Sequence, residues 1–264
     1  MSCAFRPVIM TFIAAAALAE AVAEPETVAI KASGTAFRVT FADGAVRRGT
    51  DLAGTVLMLK VEGTTARIRI VSVVPDPEDK TGAVLLHDFR IEESGAPLCE
   101  PGADGKRFGF PLAGRTAADG RLLAEDDAYE VVCTSGAQGK CVRFGYHPWE
   151  NGPHGESMRD YYNACVRLVR ADYCGDGQTW TREGSLIDLW DNIGIRRSTT
   201  LKNSKFSFEA GWTSGGSVCV AHTRVPEKLT PNSLKMSCPR LAHVPICNEK
   251  AARRAGALLF NRSR

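Results

Sequence analysis

Residues 66–74 read A-R-I-R-I-V-S-V-V, and the alternation at their start decides the character of the amino-terminal part of the chain. A period of two sends Ile68 and Ile70 to one face of a strand and Arg67 and Arg69 to the other, as in a sheet with one face on a core and one in water. Outward from that stretch the signal repeats. T-A-F-R-V-T-F at 35–41 stops at Ala42-Asp43-Gly44, T-V-L-M-L-K-V at 55–61 stops at Glu62-Gly63, and A-V-L-L-H-D-F-R-I at 83–91 runs into Glu93-Ser94-Gly95. The central run itself ends at Pro75-Asp76-Pro77. Asp-Gly pairs and prolines between short β-branched runs are turn chemistry. Four or five antiparallel strands of this length predict a small barrel or sandwich over residues 24–97, with Phe37, Val39 and Phe41 sharing one face.

From residue 98 to 264 the pattern changes. A strand, Y-E-V-V-C at 129–133, leads into a polar, glycine-containing turn from Thr134 to Lys140 and then C-V-R-F-G-Y-H-P-W. Cys133 and Cys141 flank that turn, close enough to bridge each other and free to reach elsewhere. The clearest helix starts around Gly155–Ser157 and runs to about Asp172. Its apolar residues Met158, Tyr161, Tyr162, Cys165, Leu168 and Val169 recur at helical spacing, with Arg159, Arg167 and Arg170 elsewhere on the wheel. Gly175 is a natural stop, and Cys174 lies beyond the negative end of the helix dipole. Arg253, Arg254, Arg262 and Arg264 make the last residues basic and suggest a solvated tail helix. The fold class is β-rich α+β: an N-terminal antiparallel β barrel or sandwich, then a disulfide-stabilised α+β region with one main helix.

The first residues speak to compartment. One positive charge, Arg6, precedes an apolar run from Val8 to Ala19 broken only by Thr11, and Ala21-Val22-Ala23 follows as a small-x-small cleavage site. Residues 1–23 therefore read as a signal peptide with maturation at Glu24. A run of 12 residues is short of the ~20 that span a bilayer, so no stable membrane span is expected after cleavage. Cys3 leaves with the signal peptide. The remaining eight cysteines, Cys99, Cys133, Cys141, Cys165, Cys174, Cys219, Cys238 and Cys247, are an even number in an oxidising compartment, which favours disulfides of open connectivity. No two of them are closer than eight residues, unlike the tight pairs of zinc sites. A net charge of +3, from 33 Lys and Arg against 30 Asp and Glu, gives no reason to expect nucleic acid as partner. The expected location is secreted or periplasmic, and the expected partner an envelope or extracellular ligand.

Four segments carry a family resemblance: G-K-C-V-R-F-G-Y-H-P-W at 139–149, A-C-V-R-L-V-R-A-D-Y-C-G-D-G at 164–177, T-R-E-G-S-L-I-D-L-W-D at 181–191 and F-E-A-G-W at 208–212. Together they resemble the ADYC domain, a family of exported bacterial proteins named for the tetrapeptide Ala171-Asp172-Tyr173-Cys174. The resemblance spans roughly residues 95–225 and implies secretion, disulfides and a bacterial source. It implies no mechanism.

The motif Ala171 to Gly177 admits three uses. Asp172, Cys174, Asp176, Gly177, Gln178 and Glu183 fall at loop positions 1, 3, 5, 6, 7 and 12 of a calcium-binding EF-hand. A thiol is a poor ligand for a hard cation, however, and Gly184-Ser185 starts no exit helix. Neither a metal nor a cofactor is expected. A nucleophilic Cys174, with His147, His154 or His222 as base, would leave one of seven other cysteines without a mate. The third use is structural: Cys174 bridged, with Asp172 and Asp176 capping amides in Asx turns. The catalytic candidates are thus Cys174, Asp172 and His222. A carboxylate pair among Glu183, Asp188 and Asp191 and a stacking platform from Trp180, Trp190 and Trp212 are weaker alternatives. The preferred function is a non-catalytic binding or structural module; the alternative is an extracytoplasmic hydrolase using Cys174 or an acidic residue.

Overall fold

The computed structural model describes residues 26–61, 63–199, 205–243 and 246–264. The expected signal peptide, its cleavage site and Cys3 lie outside them. The alternating runs form antiparallel strands. A three-stranded sheet has β1 (Thr27–Ser33), β2 (Ala36–Phe41) and β3 (Val46–Arg48) in sequence order. A five-stranded sheet contains β4 (Val56–Val61), β5 (Thr64–Pro75), β6 (Leu85–Ile91), β7 (Phe108–Ala113) and β10 (Tyr129–Cys133), ordered β10-β7-β6-β5-β4. A small ribbon of β8 (Arg115–Thr116) and β9 (Leu122–Leu123) separates its last two members in the chain.

Phe37, Val39 and Phe41 from β2 meet Leu57, Leu59, Ile68, Ile70 and Phe89 in one buried cluster, so the first two sheets pack as a sandwich. Sheet order leaves β4 and β10 at opposite edges, and the barrel alternative does not close. β7 and β10 come from beyond residue 98, so this sheet draws strands from both parts of the chain.

Beyond the sandwich lie α1 (Ala137–Arg143), α2 (Met158–Arg170), α3 (Pro231–Ser237) and α4 (Glu249–Arg254). A third sheet is built from β11 (Ile187–Asp191), β12 (Ser207–Thr213), β13 (Gly216–Val220) and β14 (Leu259–Ser263), ordered β11-β14-β12-β13. Helix α2 is the centrepiece of the largest core, which joins its Tyr161, Tyr162, Ala164, Cys165 and Leu168 to Phe110 and Leu112 of β7 and to Trp212 and Leu259 of the third sheet. Helix α4 covers the other face of that sheet, with Ala252 against Trp190, Ala257 and Phe260. It can come so close because β12 has a glycine there: a Cβ on Gly211 would lie 2.5 Å from the Ala252 methyl.

Three local expectations need correcting. The polar turn between Cys133 and Cys141 is mostly helix α1, which begins after Gly136. Helix α2 ends at Arg170, and Arg167 is buried with the apolar residues because the helix is wrapped on several sides. The basic C-terminal stretch is a short helix followed by an interior strand, not a solvated tail. β14 lies between β11 and β12, with Arg262 stacking on Trp190 at 4.9 Å and Arg264 on Phe206 at 5.1 Å, so these arginines flank a sheet while keeping their charge at its margin.

The eight cysteines pair as Cys99–Cys133, Cys141–Cys165, Cys174–Cys238 and Cys219–Cys247. Cys133 and Cys141 therefore reach elsewhere rather than to each other. The second bridge ties α1 to α2, and the last ties β13 to the approach of α4. No helix among the described residues is long and apolar enough to cross a membrane.

Candidate functional site

Helix α2 must end somewhere, and its last carbonyls then lack intrahelical donors. The chain leaves through Ala171 in a left-handed conformation, φ 53°, uncommon for a residue with a Cβ. Donors from distant segments take over. Arg224 gives hydrogen bonds to the carbonyls of Leu168 at 2.9 Å and Val169 at 3.0 Å, and the Trp180 amide reaches Arg170 O at 3.0 Å. Asp172 turns its carboxylate inward. Oδ1 accepts from the amides of Gly175 at 2.9 Å and Asp176 at 3.2 Å, and Oδ2 from Gly177 at 3.0 Å and from the Arg167 guanidinium. Arg167 continues to the carbonyls of Asp119 and, at 3.2 Å, Ser214. A cation placed on Asp172 would have to displace three amides and an arginine. The distal end of the calcium-loop pattern, Glu183, is exposed.

Tyr173 points into the core and stacks on Trp212, with ring centres 5.2 Å apart. Its hydroxyl donates to Glu209 Oε1 at 2.9 Å and accepts from the Arg224 amide at 2.8 Å. Glu209 is fully buried and paired with Arg224 at 3.0 Å. Its other oxygen accepts from Asn261 Nδ2 at 2.7 Å, and Asn261 Oδ1 in turn accepts from Trp212 Nε1 at 2.8 Å. Burial, followed by the Glu209 charge, pushes the Tyr173 phenol well above its ordinary value. It is a fixed donor, not a proton shuttle.

Cys174 closes the corner by its bridge to Cys238 at the end of α3. Two residues on, Arg240 donates to the carbonyls of Tyr173 and Cys174 at 3.0 Å each, to Gly215 at 3.1 Å and to Ser217. The Ser217 amide and hydroxyl both bond Tyr173 O at 3.0 Å. The turn then presses on the β12–β13 connection: a Cβ on Gly175, where φ is +74°, would lie 2.1 Å from Gly215 O. Asp176 Oδ1 accepts from the Gln178 amide at 2.9 Å, the Asx turn that its spacing suggested.

The remaining candidates are scattered. His222 lies between Ser263 Oγ at 3.0 Å and Ser207 Oγ at 3.4 Å, along the third sheet. His147 is buried, stacks on Trp149 at 5.0 Å and faces Glu150 Oε1 at 3.1 Å, whereas the amide of His154 bonds Glu156. Asp188 accepts from Ser198 at 2.5 Å and from the Thr199 amide at 2.9 Å. Asp191 instead holds the four amides of Ile193 to Arg196 and the Tyr146 hydroxyl. Trp212 and Trp190 belong to different cores on opposite faces of the third sheet, and Trp180 edges the first of them. Sequence reasoning missed Arg167, Glu209, Arg224, Arg240 and Asn261. Glu209 carried a readable signal: a carboxylate between Phe208 and Ala210, in the strand S-F-E-A-G-W-T.

Near the helix exit there is one open feature. A cleft of about 430 Å³ lies between α1 and the 181–187 segment, lined by Lys140, Phe144, Val169, Arg170, Leu186 and Ile187 among others.

These features define a class: a disulfide-bridged, β-rich α+β protein in which a helix exit is locked to a second sheet by a buried polar network. The ADYC domain model matches residues 49–226, and the chain belongs to that family. No curated protein and no solved structure matches it.

Proposed function

We propose that the protein is an exported, non-catalytic module that binds a ligand or another envelope component through its surface, with the ADYC corner serving as its internal fastening. Export is supported by the apolar leader with its Ala21-Val22-Ala23 site and by four disulfides, which belong to an oxidising compartment. The carrying observation is that the three central side chains of the motif are engaged internally: Asp172 by amides and Arg167, Tyr173 by Glu209, Cys174 by Cys238. Asp172 and Tyr173 are buried, and Cys174, half-buried, has no thiol while it is bridged, so none of the three is offered to a substrate. The test is a thiol count on the exported protein, denatured without reduction, together with its N-terminal sequence. No free thiol and a start at Glu24 are expected. A free thiol at Cys174 would return it to the list of nucleophiles, and a chain kept in the cytosol with Met1 intact would remove the export assignment.

A further inference from the structure

The cleft beside the motif has a chemistry of its own. Its wall is apolar: Phe144 and Val169 are half-buried, and Leu186 is 57% exposed. Its polar side is cationic on balance, with Lys140, Arg170 and Arg182 against the single exposed carboxylate of Glu183. Lys140 enters no ion pair among the described residues. Arg170 bonds Gly177 O through Nη2 at 2.6 Å, yet its Nε is buried without a hydrogen-bond partner. The other cation on the rim, Arg182, is paired with Glu227. A larger depression of about 520 Å³ around Lys60, Arg115, Glu125 and Tyr129 lacks this imbalance, since Arg115 is held by Glu125 at 2.6 Å.

We propose that the cleft between α1, the end of α2 and residues 181–187 binds a small organic anion, a carboxylate on an aliphatic or aromatic body. The carboxylate would sit at Lys140 and Arg170 and the apolar body along Phe144, Val169 and Leu186. The volume lies within the range of about 300–1,000 Å³ seen for small-molecule sites. Both charge and apolar contact are needed: the cations select the headgroup through charge-assisted bonds, and the exposed leucine gains from leaving water. This assignment rests on the binding-module function proposed above, and names its ligand class.

The probe is octanoate, titrated by isothermal calorimetry into the exported, disulfide-intact protein, beside acetate, octanol and octylammonium. Saturable one-to-one binding of octanoate, with the other three much weaker, is expected. Lys140→Gln and Leu186→Ser change side chains that bear no part of the ADYC network, and each should weaken octanoate about tenfold. Octylammonium binding as well as octanoate, or neither variant altering the octanoate isotherm, would overturn the proposal. So would octanoate that fails to saturate. If that failure comes with every thiol bridged, it removes the ligand class alone, whereas a free thiol in the same sample counts against the module itself.

Discussion

Asp172 joins two duties, a cap for three amides and the counter-charge of a buried arginine. Asp172→Asn leaves Arg167 with only the half-exposed Asp119 carboxylate at 3.6 Å and should cost roughly 3 kcal/mol in urea unfolding. Asp176 caps one exposed turn, and Asp176→Asn should cost no more than about 1 kcal/mol. The Asx role of both aspartates was legible from spacing, because a turn is local. The weight on Asp172 was not, because Arg167 looks on a helical wheel like any solvated arginine until the β12–β13 connection covers it. His87 is a second residue with a measurable signature. It stacks on Phe89 at 5.2 Å, neither ring nitrogen makes a well-formed hydrogen bond, and burial, only partly offset by the backbone of Leu85 and Gly109, pulls its pKa down to about 4 from 6.5. Between those values the unfolded chain takes up a proton that the folded one refuses, so this contribution is intact above pH 6.5 and is lost as pH falls toward 4. Folding free energy measured against pH should drop by up to about 3 kcal/mol more in the parent than in His87→Leu over that interval.

At the scale of elements, the exit of α2 is held by a bridge that closes a loop of 64 residues. Removing a cross-link of that span releases unfolded-chain entropy worth about 4 kcal/mol. Cys174→Ser should therefore melt lower, secrete poorly and expose the Cys238 thiol, and a variant that melts like the parent would contradict the structural role of the corner. β5 and α2 were both legible, one through the alternation of Ile68 and Ile70 and the other through its apolar stripe. β1 and β3 were not singled out, since they are mostly exposed edge strands with little pattern to read. β14 was hidden for the opposite reason: L-F-N-R-S is short and basic, and what makes it a strand is its pairing with Ser207 to Trp212 and Ile187 to Asp191, far off in the chain.

The whole molecule is a sandwich joined through α2 to a second, covered sheet, with four bridges all in the larger, later part of the chain. Intact mass without reduction should be eight hydrogens below the reduced chain. Deletion of residues 259–264 tests the architecture more severely. It removes the strand between β11 and β12 together with Asn261, which holds Glu209 and Trp212, and should leave no cooperative unfolding transition by circular dichroism. The place of β14 also fixes an order of events. If the chain is delivered across a membrane amino end first, β11 and β12 are unmatched edges and Cys174 and Cys219 lack their mates until Cys238, Cys247 and residues 259–263 arrive. Until then neither cysteine has its native partner, and an early oxidation leaves both open to wrong pairing. If the chain is exported as proposed, maturation is a race between oxidation and delivery, and a host lacking a disulfide isomerase should accumulate mispaired species.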